Sequence, residues 1–225
     1  MPQPQPQPWS PLDEYLWHTC DILADVLSGT VSRRPLLATH APVAAGDRVL
    51  AVGPANRLTW RAYGNGSYTH NQVVAFGSPA FVAGSLLGNA LGNSSRRRQA
   101  ERNAQPRWAM EGTGELTITL HKAYINSPST SIHTEIYWAG LSSIDLVAPD
   151  TVETRFINNQ GQLMTIRLQT LWASLIFVLA ALNTFPHHPR LLTCGWLPPG
   201  FEQRCTAAGR PCRPAAELVL NRGTS

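Results

Sequence analysis

Between Gly114 and Leu168 the chain repeats one kind of segment: "GELTITL", "KAYINS", "IHTEIYW", "SSIDLVA", "TVETRFI" and "QLMTIRL" are each short and rich in β-branched and aromatic residues. Turn chemistry separates several of them, as at Asn126-Ser127-Pro128 and Asn158-Asn159-Gln160-Gly161. The alternation inside them is that of strands with one buried face. Leu116, Ile118 and Leu120 oppose Thr117 and Thr119, and Met164, Ile166 and Leu168 oppose Leu163, Thr165 and Arg167. Directly after them comes "LWASLIFVLAALN", Leu171 to Asn183, with Thr170 as the expected N-cap. It is shorter than the roughly 20 residues a membrane-spanning helix needs, and suits a helix that closes the end of a small barrel. Six successive strands and one apolar helix predict an α+β fold: a small antiparallel β-barrel or sandwich closed by a C-terminal helix.

Upstream, Ser10 is an N-cap followed by Pro11 at the first helical position, with Asp13 and Glu14 in the first turn, where the helix dipole favours negative charge. Leu12, Leu16, Leu23 and Leu27, with Cys20 between them, recur at helical spacing up to the stop at Gly29. An amphipathic helix over Pro11 to Leu27 follows. "SRRPLLATHAPVAAG" has no period and reads as a linker, whereas "DRVLAVG" and "NRLTWRAY" read as short strands, with Asn65-Gly66 as a turn beyond them. The opening "MPQPQPQPWS" is a Pro/Gln repeat expected to be an extended, solvated tail. It has neither the basic nor the apolar region of a secretory signal, so the expected location is the cytoplasm, and the four cysteines show no repeated disulfide spacing.

Val73 to Gly92 carries no charge and runs into Arg96, Arg97 and Arg98. Ser78 and Pro79 start a helix inside this run, leaving fourteen residues from Pro79 to Gly92, short of a span. Ala80, Gly84, Gly88 and Gly92 fall on one helix face at four-residue spacing, where a second backbone can approach closely. Glycine weakens a helix by roughly 1 kcal/mol relative to alanine. Such a helix therefore needs a close packing partner, either in the same chain or in a second copy. The arginines prolong it as a basic end, with an expected helical reach of Pro79 to Asn103.

The strand series, the segment "EIYWAGLSSIDLV", the hairpin after it and the single apolar helix together resemble the pleckstrin-homology and GRAM-like fold over Gly112 to Asn183. In that resemblance "NRLTWRAY" supplies a further strand, and the glycine-lined helix is an insertion between the first and second strands. "GNGSYTH", "GNSSRRRQAERNAQPRW", "GELTITLHKAYI" and "HPRLLTCGWLPPGF" look like the landmarks of a family of high-GC bacterial proteins with such a domain. The resemblance implies a fold that hosts lipid binding, peptide binding and scaffolding alike, and no particular reaction. It divides the chain into a disordered tail (1–9), an N-terminal helix and linker (10–46), the pleckstrin-homology-like domain with its helical insertion at about 78–105 (47–200) and a flexible C-terminal tail (201–225). Phosphoinositide-binding members carry a basic cluster in the first hairpin loops; here the loops around Ser127 to Ser131 are nearly uncharged, with Lys122 the lone basic residue nearby.

Candidate chemistry is sparse. No nucleophile-elbow or cysteine-protease signature surrounds a serine or cysteine, and His70 and His121 decorate strands. Gly64 and Gly66 lack the strand, helix and lysine of a phosphate loop, and "GTGEL" at Gly112 reads as a turn before a strand. The Pro-His-His-Pro run at Pro186 to Pro189, followed by Cys194, Cys205 and Cys212, could offer zinc ligands, but not in the close pairs structural zinc uses. The net charge of +4 is modest, and no aromatic residue interleaves with Arg96, Arg97 and Arg98, which argues against nucleic acid. The expectation is a non-enzymatic intracellular interaction or scaffold module without cofactor, metal or catalytic residue. Its partner would be a protein, including a second copy, with Gly84, Gly88, Gly92, Arg96, Arg97 and Arg98 as the contact residues. The alternative is a peripheral membrane protein held on anionic lipid by the same helix and arginines.

Overall fold

The first described helix begins directly after Ser10. In the computed structural model, which describes residues 8–62, 97–127, 132–158, 160–214, 217 and 219, Ser10 caps the helix α1 (Pro11–Leu27). Ser10 Oγ accepts from the Asp13 N–H at 3.2 Å while Asp13 Oδ2 accepts from the Ser10 N–H at 3.0 Å, a reciprocal capping box. Gly29, at φ 69°, lies just beyond its end. The buried face is Leu16, Thr19, Cys20, Leu23 and Ala24, with Leu12 and Leu27 half-buried at its ends.

Among the described residues there follow β1 (Val49–Arg61), β2 (Arg107–Thr119), β3 (Lys122–Ser127), β4 (Ile132–Tyr137), β5 (Leu141–Ala148), β6 (Thr151–Ile157), β7 (Leu163–Gln169), then α3 (Ala173–Thr184), α4 (Pro189–Leu192) and α5 (Phe201–Ala207). Residues 97–104 are also helical and are termed α2. The strands form one antiparallel sheet in the order β4-β3-β2-β1-β7-β6-β5. Two meanders, β2-β3-β4 and β5-β6-β7, are joined through β1, and β4 and β5 are left as the edges. The chain divides into two compact units, 1–58 with 110–225 and 59–109. Among described residues the smaller unit holds α2 and the adjoining ends of β1 and β2, where Trp60 and Trp108 meet edge to face at 5.4 Å.

Three local readings are corrected by packing. "DRVLAVG" and "NRLTWRAY" are parts of one 13-residue strand, β1. Gly53-Pro54 is no break in it: a Cβ on Gly53 would lie 2.8 Å from Trp172 Nε1, which donates to the Val52 carbonyl at 3.2 Å. "GTGEL" is likewise inside a strand, because β2 runs unbroken through Gly112 to Gly114. Thr170 does not cap α3. Its hydroxyl donates to the Pro54 carbonyl at 2.9 Å and lies 3.3 Å from the Trp172 N–H, and Trp172 takes the N-cap position. Every residue of α3 from Ala173 to Ala181 is buried.

Trp9 and residues 201–213 pack on α1, within segments where the sequence predicts tails. Trp9 stacks on Phe201 at 6.3 Å and donates from Nε1 to Glu14 at 2.8 Å. α5 docks through buried Phe201 and Cys205, and Arg204 meets Asp13 at 2.8 Å. Arg210 pairs with Glu14, and Arg213 with Asp25 at 2.6 Å. Arg34, from the linker, holds Asp21 and Asp25 at 2.8 and 2.7 Å. The carboxylates that give α1 its polar face are thus the docking points for arginines far away in sequence, so residues 201–214 are held by charge matching that no local pattern announces.

This pairing has a pH signature. Burial pushes the Asp25 carboxyl up, but hydrogen bonds from Arg213, Arg34 and Thr30 outweigh it and hold it at about 2, below its ordinary 3.8. A depressed carboxylate contributes stability that is present above its unfolded value and lost as pH falls through the folded one. Urea midpoints measured from about pH 5 to about pH 2 are therefore expected to fall more steeply for the natural protein than for Asp25→Asn. Parallel curves for the two would show that the arginine clamp adds nothing.

Candidate functional site

The unshared edge of β4 opens onto a cleft of about 660 Å³. Its walls come from the two ends of the sheet order: His133, Glu135 and Tyr137 of β4 on one side, Gly140, Leu141 and the end of β6 at Phe156 on the other. The period-2 alternation of "IHTEIY" puts His133, Glu135 and Tyr137 on one strand face and turns Thr134 and Ile136 to the other. Ile136 and Leu141 are buried and form the apolar part with Phe156, which pairs with Leu141 across β5 and β6. Asn158 and Gln160 add a polar rim from the β6-β7 turn, where Asn158 Oδ1 accepts from the backbone N–H groups of Gln160 and Gln162 at 3.0 and 2.9 Å.

On the β3 and β4 face, Lys122 stands opposite Tyr137, and Tyr124 opposite Glu135. Lys122 Nζ donates to Glu135 Oε2 and to the Tyr137 hydroxyl, both at 3.0 Å, and lies 4.5 and 4.6 Å from the centres of the Tyr124 and Tyr137 rings. The Tyr137 hydroxyl donates to Glu135 at 2.8 Å. Hydrogen bonds with Tyr124, Tyr137 and Glu135 hold the Lys122 ammonium above the ordinary lysine range, against burial. Hydrogen bonds from Tyr137 and Lys122 hold the Glu135 carboxyl below its usual range. Both groups are therefore charged and mutually satisfied near neutral pH. That suits fixed polar recognition better than proton transfer, which needs a group poised near the working pH.

A second polar link crosses the fold. Arg57 of β1 donates to Thr134 of β4 at 2.8 Å and pairs with Glu111 of β2 at 3.3 Å. Since β2 and β3 lie between β1 and β4 in the sheet, the sheet must curl for this contact to form. Outside the sheet, the linker lies on β2 and β3: His40 bonds Glu115 through its backbone N–H and its ring, both at 2.9 Å, and the Tyr124 hydroxyl donates to the Pro42 carbonyl at 3.3 Å.

Of the residues the sequence points to, Gly84, Gly88, Gly92 and Arg96 lie outside the described residues, as does His70. Arg97 and Arg98 are exposed on α2, where Arg97 pairs with Glu101 one turn on at 2.8 Å. His188 caps α4, accepting from the Arg190 N–H at 3.2 Å, and packs edge-on against Phe177 at 5.0 Å. Cys205 neighbours Cys20 and Cys212. No described helix is long and apolar enough to cross a membrane. His133, Glu135, Tyr137 and Phe156 were not singled out in the sequence, although the alternation of "IHTEIY" already sets the first three on one face. No protein-family model matches the chain, and no curated protein matches it.

Proposed function

We propose that this chain is a pleckstrin-homology-like interaction module that works inside the cell and receives an extended segment of a partner protein along the edge of β4. The strand order, the helix following β7 and the curl needed for Arg57 to reach Thr134 support the pleckstrin-homology-like reading. The observation that carries the binding role is the cleft itself, an apolar base with a polar rim beside a strand edge that no described strand occupies. An edge strand offers alternating backbone donors and acceptors to an incoming strand, and the neighbouring side-chain pocket selects among sequences. The opposite edge is partly covered: Arg190 donates to the Leu146 carbonyl at 3.1 Å and to Asp145 at 2.8 Å, which blunts β5 and leaves β4 as the docking edge.

Gly140 gives a clean test. A Cβ there meets nothing within 4 Å, so Gly140→Trp is expected to fold normally while filling the cleft. Random linear peptides selected on the natural protein should lose at least about tenfold in affinity for this variant, roughly 1.4 kcal/mol. They should also perturb the amide signals of β4 in NMR. Selection of no peptide, or of peptides that bind Gly140→Trp equally well, would overturn the reading; so would binding that maps to another surface.

A further inference from the structure

Three of the four cysteines, one from α1 and two from the docked segment 201–214, come together where that segment lies on α1. Cys20 of α1 and Cys205 of α5 are fully buried, and the half-buried Cys212 packs against the same core as a neighbour of both. Cys212 is held from both sides: the Pro211 carbonyl accepts from Trp17 Nε1 at 3.4 Å, Arg210 pairs with Glu14, and Arg213 with Asp25. Its position is therefore set by contacts with α1. Cys205 lies seven residues earlier, and its carbonyl accepts from the Arg210 N–H at 2.8 Å, folding the chain back around Gly209 at φ 69°. Nothing in the proposed peptide-binding role uses these thiols.

We infer that Cys205 and Cys212 form an oxidisable dithiol, a modification site at which a hydroperoxide installs a disulfide that fastens residues 206–211 into a closed loop against α1. The accessible member is Cys212. Its thiolate attacks one oxygen of hydrogen peroxide, the O–O bond breaks, and hydroxide leaves and takes up a proton, giving a sulfenic acid and water. The Cys205 sulfur then attacks the Cys212 sulfur, the S–O bond breaks, and the departing hydroxide leaves as water with the Cys205 proton. Two thiols and one peroxide thus become one disulfide and two waters. Cys20 and Cys205 are closed off from solvent and burial pushes both thiols up, so the half-buried Cys212, the one of the three that peroxide can reach, is the entry point. Cys205 is the partner because it lies seven residues before Cys212 in the same docked segment, across the turn at Gly209, whereas Cys20 belongs to a separate helix.

The test uses the full folded chain with hydrogen peroxide as the only oxidant, followed by alkylation, intact mass and peptide mapping. The expected product is lighter by about 2 Da than the reduced protein before alkylation, the loss of two hydrogens. It should carry one Cys205–Cys212 bridge, with Cys20 and Cys194 still alkylatable after unfolding. Cys205→Ser and Cys212→Ser should each abolish the bridge, while Cys20→Ser should retain it. In the oxidised form amide exchange across 206–211 should slow by about tenfold, because the loop can no longer open freely. Cys205→Ala and Cys212→Ala replace the serine variants if those fail to fold. Oxidation of Cys212 only to the sulfinic acid, a bridge from Cys212 to Cys20, or no loss of thiols at peroxide levels that oxidise an exposed cysteine peptide would each overturn the proposal.

Discussion

Gly114→Val is expected to leave little folded protein, and Gly114→Ala to be among the most destabilising single-methyl changes this chain can suffer. A Cβ at Gly114 would overlap the Asn126 carbonyl oxygen and stand 2.7 Å from its carbonyl carbon and 2.9 Å from the Ser127 Cα. All three obstacles are backbone, so no rotamer change relieves them, and β3 must draw back from β2. That retreat breaks the bond from Ser127 Oγ to the Thr113 carbonyl at 2.9 Å and strains the Glu115 to Asn126 pairing. Overpacking costs about 1–3 kcal/mol when side chains can yield, so a backbone clash belongs at about 3 kcal/mol or more. In a chain of this size that lowers Tm by about 6–12 °C. Gly53→Ala, whose obstacle is the Trp172 indole, should cost less, and Gly140→Ala should be nearly neutral. Thermal unfolding of the three variants checks the ranking, and a Gly114→Ala protein as stable as Gly140→Ala would contradict the close approach of the two strands.

Trp138→Ala is the second large effect. Trp138 is fully buried between β4 and β5, in a single 3-10 turn. Its N–H donates to the His121 carbonyl at 3.0 Å, and its carbonyl accepts from Thr184 Oγ1 at 2.8 Å, so one residue ties the β2-β3 turn, the edge strands and the end of α3 together. Emptying an indole-sized volume costs about 3–5 kcal/mol, and its neighbours here are packed from several elements and cannot all collapse inwards. The expected Tm loss is about 6–20 °C. Because Tyr137 and Gly140 of the cleft flank this residue, peptide binding should fall with it even where folding is retained. Trp138→Phe, which keeps most of the volume, should recover most of the stability. A Trp138→Ala protein within about 0.5 kcal/mol of the natural one, the range of an ordinary surface change, would show that the turn is not a packing centre.

The segment "EIYWAGLSSIDLV" shows why the cleft was hard to read. As a string it holds the end of one expected strand and the start of the next, with nothing to say where each of them pairs. In the fold it is β4, the Trp138 turn and β5, and those strands lie at opposite ends of the sheet order. The cleft is the space between edges that are neighbours in sequence and unpaired in the sheet. Lys122 tells the same story: it looks like the one basic residue near a hairpin, and its charge is spent on Tyr124 of its own strand and on Glu135 and Tyr137, which face it only because of the β3-β4 register.

The sequence by itself determined what depends on near neighbours. Ser10, Pro11 and Asp13 set the start of α1, since a cap needs only the next three residues; alternation set the six strands after Gly112; and an unbroken apolar run set α3. Tertiary structure alone decided the order of the strands, with β1 between β2 and β7, and the fusion of two expected strands into one around Gly53. It also decided the docking of Phe201, Arg204, Arg210 and Arg213 on α1 and the meeting of Cys20, Cys205 and Cys212. Each of these joins groups up to nearly two hundred residues apart through short-range contacts. Local propensity carries no information about such distances, because a hydrogen bond or a thiol contact is selected by the burial of the surfaces around it and not by the residues beside it in the chain.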